Sequence, residues 1–195
     1  RSARAKAHEE ERQKQLAAPP PKDKPNAPPP KDPGPCRQEP ALRLLETSVL
    51  LAEQRTDEAI AALERMASEE TFGNRVQQRL GNALLNAKQW PRAIAAFEKA
   101  IIHDPQADHA FYGLGLAHLR NGDPERAAQE ILQAIGLNFH RPFAHYHLGE
   151  AFTLLGRYED AAHAYEVCLK MAPGTNRARL HLAALNKEHL GNPDQ

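Results

Sequence analysis

Histidine is the residue type that most invites a chemical reading of this chain. Ten are present, and His140, His145 and His147 fall close together. A transition-metal site needs ligands that converge, such as two histidines on one face of a helix. His145 and His147 are two residues apart, about 200° around a helix, so they do not easily share an ion. His147 stands three before Glu150, and neither HExxH nor paired CxxC occurs. Surface or groove-edge positions for these histidines follow. The serines are Ser2, Ser48 and Ser68, none in a nucleophile-elbow context. Glycines occur singly, so no phosphate-cradling loop is encoded. Cys36 lies in a Pro-rich stretch and Cys168 in a helical one; they form no disulfide framework. The residues therefore predict no catalytic residue, no metal and no cofactor within this segment.

What the spacing does encode is positional. Leu80-Gly81, Leu114-Gly115 and Leu148-Gly149 are one dipeptide at intervals of 34 residues. At fixed offsets follow Ala93, Ala127 and Ala161, then Phe97, Ile131 and Tyr165, then Ala100, Ala134 and Cys168. Small, large and small apolar residues in this register predict stacked helical hairpins. Such a unit cannot bury its apolar face by itself, so it stacks on its neighbours. Each glycine lets the two helices of a hairpin approach closely. Gly149→Leu is accordingly expected to abolish cooperative thermal unfolding. Cys168 stands where the other copies have Ala, a buried apolar position.

The surrounding chain divides by composition. Residues 1–18 are charged and Ala-rich, with Glu10 and Lys14 in a favourable i,i+4 pair, and predict a solvated helix. Residues 19–39 predict a linker: nine of the sixteen prolines lie between Pro19 and Pro35. In polyproline II it would reach roughly 50 Å. Pro25 and Pro28, and Pro30 and Pro33, formally match PxxP. Residues 40–73 hold a degenerate hairpin, a candidate N-terminal cap. Its first helix carries Leu42, Leu45, Val49, Leu50, Leu51 and Ala52, with Glu46-Thr47 where the Leu-Gly pair belongs. Its second carries Ala59, Ile60, Leu63 and Met66. Hairpins 74–107, 108–141 and 142–175 follow. A closing helix spans 176–191, with Leu180, Ala183, Ala184 and Lys187 on its track, stopped by Gly191-Asn192-Pro193.

These residues resemble the tetratricopeptide repeat (TPR) family, over about 74–175 and more loosely over 40–191. The third copy matches with Leu148, Gly149, Phe152, Ala161, Tyr165 and Pro173. In the second, Phe139 replaces the closing proline, which predicts a longer or differently angled junction at Asn138–Arg141. The resemblance implies an all-α, right-handed superhelix of about three clear repeats, one degenerate N-terminal hairpin and a closing helix. It also implies that the first helix of each hairpin lines a concave groove. Carried onto this sequence, that groove holds Asn82 and Asn86, then His109, Tyr112, Leu116 and Arg120, then Phe143, Tyr146 and Glu150. Arg75, Gln78, Leu85, Leu119, Thr153, Arg177, Leu180 and Lys187 border it. Tyr112 and Tyr146, one repeat apart, read as a matched pair of binding aromatics. The Lys, Asn, Asn, Lys, Arg clamp of chaperone-binding TPR domains is replaced by Gln78, Asn82, Gly113, Phe143 and His147, which argues against that mode.

The function implied is a non-catalytic scaffold that binds a peptide or helix of a partner protein. Two alternatives stand beside it. The texture of 138–152 is similar to C-terminal TPR segments of bacterial alkaline-phosphatase-superfamily hydrolases, which would make this an accessory region of a larger enzyme. The stacked repeats could also self-associate. Bulk properties narrow the partners. Formal net charge is zero, so nothing biases the chain toward nucleic acid. No apolar run is long enough for a membrane span. The start, Arg1-Ser2-Ala3-Arg4, has neither Met nor a signal-peptide core and reads as a piece of a longer or processed protein.

Overall fold

A left-handed residue recurs at every hairpin turn. Gln54 (φ 61°), Lys88 (φ 59°), Gly122 (φ 84°) and Gly156 (φ 72°) stand 34 residues apart in sequence. Only two of the four are glycine, the residue that adopts this conformation without a Cβ clash. The reversal is thus imposed by the helices on either side as much as by the turn residue.

The computed structural model describes residues 40–69, 73–189 and 191. Among them are nine helices: α1 Pro40–Ala52, α2 Thr56–Ala67, α3 Gly73–Asn86, α4 Trp90–His103, α5 Asp108–Arg120, α6 Pro124–Leu137, α7 Pro142–Leu154, α8 Tyr158–Met171 and α9 Asn176–Glu188. The expectations for residues 1–18 and 19–39, including both PxxP matches and Cys36, lie outside the described residues. Pro91, Pro124 and Pro142 sit in the first turns of their helices, where a missing N–H leaves no bond unmade. Asp123 caps α6 by accepting from Arg126 N.

Consecutive helices pack in pairs: α1 on α2, α3 on α4, α5 on α6, α7 on α8. Each second helix then packs on the following first helix. The first helices α3, α5 and α7 also touch one another in series, which places them on the inner side of the curve. The described residues form an all-α repeat superhelix.

The glycines explain the close pairing. A Cβ at Gly81 would meet Phe97 Cε1 at 2.7 Å, at Gly115 Ile131 Cγ1 at 2.6 Å, and at Gly149 Tyr165 Cε1 at 2.6 Å. Phe97 is gripped from both sides, since a Cβ at Gly113, on the next hairpin, would also collide with its ring. Phe97, Ile131 and Tyr165 are fully buried, each contributing about 1.5–3 kcal/mol. Two apolar clusters result. One gathers Leu63, Met66, Val76, Leu84 and Phe97; the other Ile131, Leu148, Phe152, Tyr165, Cys168 and Leu185. Burial raises the Cys168 thiol above its ordinary pKa, in keeping with a packing role.

Two expectations need correction. The junction at Phe139 is not longer than its neighbours: residues 138–141 span the same four positions as 104–107 and 172–175. Nor is its exit angled differently at the first step, since Asn138 is as extended as Asp104. His145 Nε2, 3.1 Å from the Phe139 carbonyl, and the ion pair Arg141–Asp108 hold it in place of a proline. Second, Leu180, Ala183, Ala184 and Lys187 are exposed to solvent; α9 instead buries Ala178, Leu185 and Asn186. Ala178 and Leu185 continue the register of Ala144 and Ala151, the positions that meet the preceding second helix. The first helix of the candidate N-terminal cap, α1, carries an exposed apolar stripe. Thr47 is buried toward α2, but Leu42, Leu45 and Val49 are 48%, 60% and 49% exposed.

Candidate functional site

Charge separates by layer. The first helices α1, α3, α5, α7 and α9 carry seven Arg and Lys against four Asp and Glu; the second helices carry five against nine. The inner face is therefore relatively cationic and the outer face anionic, although the chain as a whole is neutral.

The 34-residue register builds ladders along the inner face. Gln78, Tyr112, Tyr146 and Leu180 occupy one, and Arg75, His109, Phe143 and Arg177 the next. The two tyrosines were expected to match, but the structure makes them unequal. Tyr146 is 4% exposed, its ring among those of His147 (4.9 Å), His181 (5.8 Å) and Tyr165 (5.9 Å). Its hydroxyl donates to Glu150 Oε1 at 3.2 Å and lies 3.4 Å from His181 Nε2. Tyr112 remains half-buried. The Arg141 guanidinium covers its ring at 5.1 Å and His147 sits 5.9 Å away. Burial pushes its phenol up to about 12.

Glu150 is the centre of a fixed polar cluster. Its Oε2 is 2.7 Å from His147 Nδ1 and 3.6 Å from Arg120 Nη2. Burial would raise its pKa, but the bonds from His147 and Tyr146 and the charge of Arg120 hold it below the ordinary value. Asp108 behaves alike: burial is outweighed by the bonds from Arg141 and Asn138. Arg141 also approaches His109 Nδ1 at 2.9 Å, a contact that requires this nitrogen to be unprotonated. Its buried Nε has no partner among the described residues.

The remaining expected residues divide into two groups. Arg120, Leu116, Tyr112, Phe143, Tyr146, Glu150 and His109 cluster on α5 and α7. Asn82 and Asn86 lie exposed on α3; Asn82 belongs to a separate recess with Arg75, Gln78, Arg79 and Ser48. Phe143 is 59% exposed and borders a recess of ≈ 460 Å³ with Tyr146, His147, Thr175, Asn176 and Arg177. A second recess of ≈ 270 Å³ is lined by Leu119, Arg120, Glu150, Leu154, Tyr165 and His181. Sequence reasoning gave His181, Asp108 and Arg141 no role here. The signals were in the register: His147 and His181 are one repeat apart, and Asp108 and Arg141 open and close the unit 108–141. Among the described residues no three His, Cys, Asp or Glu side chains are placed to hold a metal ion. No described helix is long and apolar enough to cross a membrane.

Family models described as Tetratricopeptide repeat match residues 79–138 and 142–175. These hairpins are tetratricopeptide repeats. Small glutamine-rich tetratricopeptide repeat-containing protein 2 of Mycosarcoma maydis is 29% identical over 135 residues, 69% of this chain and 35% of that protein. The chain thus spans about a third of that relative's length. Among solved structures, MamA from Desulfovibrio magneticus RS-1 aligns with a TM-score of 0.72 at 21% identity, covering 78% of this chain and 86% of that one. YrrB, described as a TPR protein with an unusual peptide-binding site, aligns with a TM-score of 0.66 at 18% identity and 78% coverage of each chain. At such identities the likeness is one of fold. The TPR fold is that of a protein–protein interaction scaffold, and the homologous TPR domains are non-catalytic.

Proposed function

We propose that the inner face between α5, α7 and α9 binds an extended or helical segment of a partner protein, one that combines an aromatic or aliphatic side chain with acidic groups. The observation that carries this reading is Phe143. It is a large aromatic, 59% exposed, beside a recess whose other ring, Tyr146, is already held by Glu150 and His181. Pre-ordered polar groups lose little freedom on binding, and an exposed aromatic at a recess is the type of anchor that dominates interface energy. Arg177, at the same recess, makes no hydrogen bond or ion pair among the described residues and supplies a cation for an acidic neighbour. The replaced clamp positions Gln78, Gly113, Phe143 and His147 favour recognition of an internal segment over capture of a terminal carboxylate.

The test is a peptide display library panned on the immobilised full chain. Enriched peptides should carry acidic and large apolar residues together. Their affinity should fall at least about tenfold, or ~1.4 kcal/mol, for Phe143→Ala combined with Tyr112→Ala. Ile102→Ala, at an exposed position of the second helix α4, should leave it unchanged. Peptides that bind the double variant as well as wild type would refute the assignment.

A further inference from the structure

Positions 42 and 49 of α1 return one period later as Val76 and Ala83, then as Ala110 and Ala117, Ala144 and Ala151, and Ala178 and Leu185. All eight of these later residues are buried, because the second helix of the preceding hairpin lies over them. In α1 the same positions hold Leu42 and Val49, and each stands about half exposed. Leu45, between them, is more exposed still. Among the described residues the stacking face of the superhelix is therefore present and exposed at this end.

One period before α2 falls on residues 22–33, KDKPNAPPPKDP, a stretch with five prolines that lies outside the described residues. Leu42, Leu45, Val49 and Ala52 are spaced three, four and three apart, the a/d pattern of a two-helix seam, and Thr47 on the opposite side is buried within the hairpin. The pattern is self-complementary. Antiparallel to a second copy, Leu45 meets Val49 of that copy and Leu42 meets its Ala52, and both layers repeat across the two-fold axis.

We propose that α1 is a pairing seam, on which a second copy of this chain docks antiparallel through its own α1. One face of a 13-residue helix is smaller than the roughly 800 Å² per partner of a standard interface, so the pair is weak and concentration-dependent. Glu46 flanks the seam, and in the antiparallel pair it lies on the same side as Glu46 of the second copy. Glu46→Gln therefore tightens self-pairing, whereas it would weaken docking of a basic partner helix.

Sedimentation equilibrium of the full chain in reductant, from about 5 to about 500 µM, spans the range expected for an interface of this size. The average mass should rise from one chain toward two. Leu45→Glu, and separately Val49→Lys, should hold it at one chain throughout, with far-UV circular dichroism and thermal midpoint unchanged. Glu46→Gln should lower the dissociation constant several-fold. Phe143→Ala should dimerise as wild type does, which separates this seam from the groove. Wild-type protein that stays monomeric throughout, or a dimer that survives both Leu45→Glu and Val49→Lys, would overturn the proposal.

Discussion

Replacing Gly149 and Gly136 by alanine, one at a time, should move stability in opposite directions. Both glycines are helical, and in each case alanine brings a propensity gain of up to about 1 kcal/mol. At Gly136, near the end of α6, the new methyl meets nothing within 4 Å, so most of that gain is realised. At Gly149 the methyl lands 2.6 Å from Tyr165 Cε1 and 2.8 Å from two further ring carbons. Carbon atoms prefer about 3.5–4.0 Å, so one partner must retreat by about 1 Å. Tyr165 has no room to do so. It is fully buried, stacked on His181 at 5.6 Å, with its hydroxyl 3.4 Å from Thr153 Oγ1. Overpacking of this kind costs about 1–3 kcal/mol, leaving Gly149→Ala a net loss of up to ~2 kcal/mol. The two variants should differ by the overpacking cost, about 1–3 kcal/mol, which at this size is ~2–12 °C in melting temperature. Urea titration followed by circular dichroism measures both. A Gly149→Ala protein as stable as Gly136→Ala would refute the claim that the Leu-Gly step exists for helix approach. Gly149→Leu, which adds still more volume at the same place, should lose cooperative unfolding.

Other perturbations test other parts of the structure. Gln54→Gly and Lys88→Gly place glycine where φ is near +60° and should each stabilise by up to about 1 kcal/mol in the same titration; unchanged midpoints would contradict a strained turn. Asp108→Ala removes the carboxylate from the largely buried Arg141 and should cost about 2–4 kcal/mol, whereas a loss below about 0.5 kcal/mol, the size of a surface pair, would mean the junction is not held by this contact. Burial holds His118 and His145 below the ordinary histidine pKa. The unfolded chain then takes up protons first as pH falls below about 6.5, so stability that is full above that value declines toward the folded pKa. Calorimetry should show a falling melting temperature from pH 7 to 5, with a shallower slope in His118→Leu, which installs the residue found one repeat earlier at Leu84. Asp108 and Glu150, both held below their ordinary values, should add their losses only below about pH 4.

The fold was legible because it rests on local and periodic rules. The Leu-Gly step, the Ala–large–small triplets and the first-turn prolines state which residues face one another within a hairpin, and a stacked array needs nothing longer in range. Site geometry was legible only as a row of positions. Register places Tyr112 and Tyr146 on one ladder, yet their burial differs because α9 and Glu150 enclose one ring while Arg141 covers the other from the junction after α6. No spacing within a single helix reveals that. The same holds for Asp108 with Arg141, at the two ends of one unit, and for His181 with Tyr146, on successive ones: each contact depends on how separate elements pack.

The ends show the division most clearly. By itself the sequence showed a change from a Pro-rich stretch to a helical period near Pro40. It could not say whether α1 closes the array or leaves it open, because an apolar stripe reads alike whether a neighbour covers it or not. Only the packed structure, which turns Thr47 inward and leaves Leu42, Leu45 and Val49 outside, decided that. A helix has two faces with the same periodicity, and which one is spent on the core is fixed by the helix that lies against it.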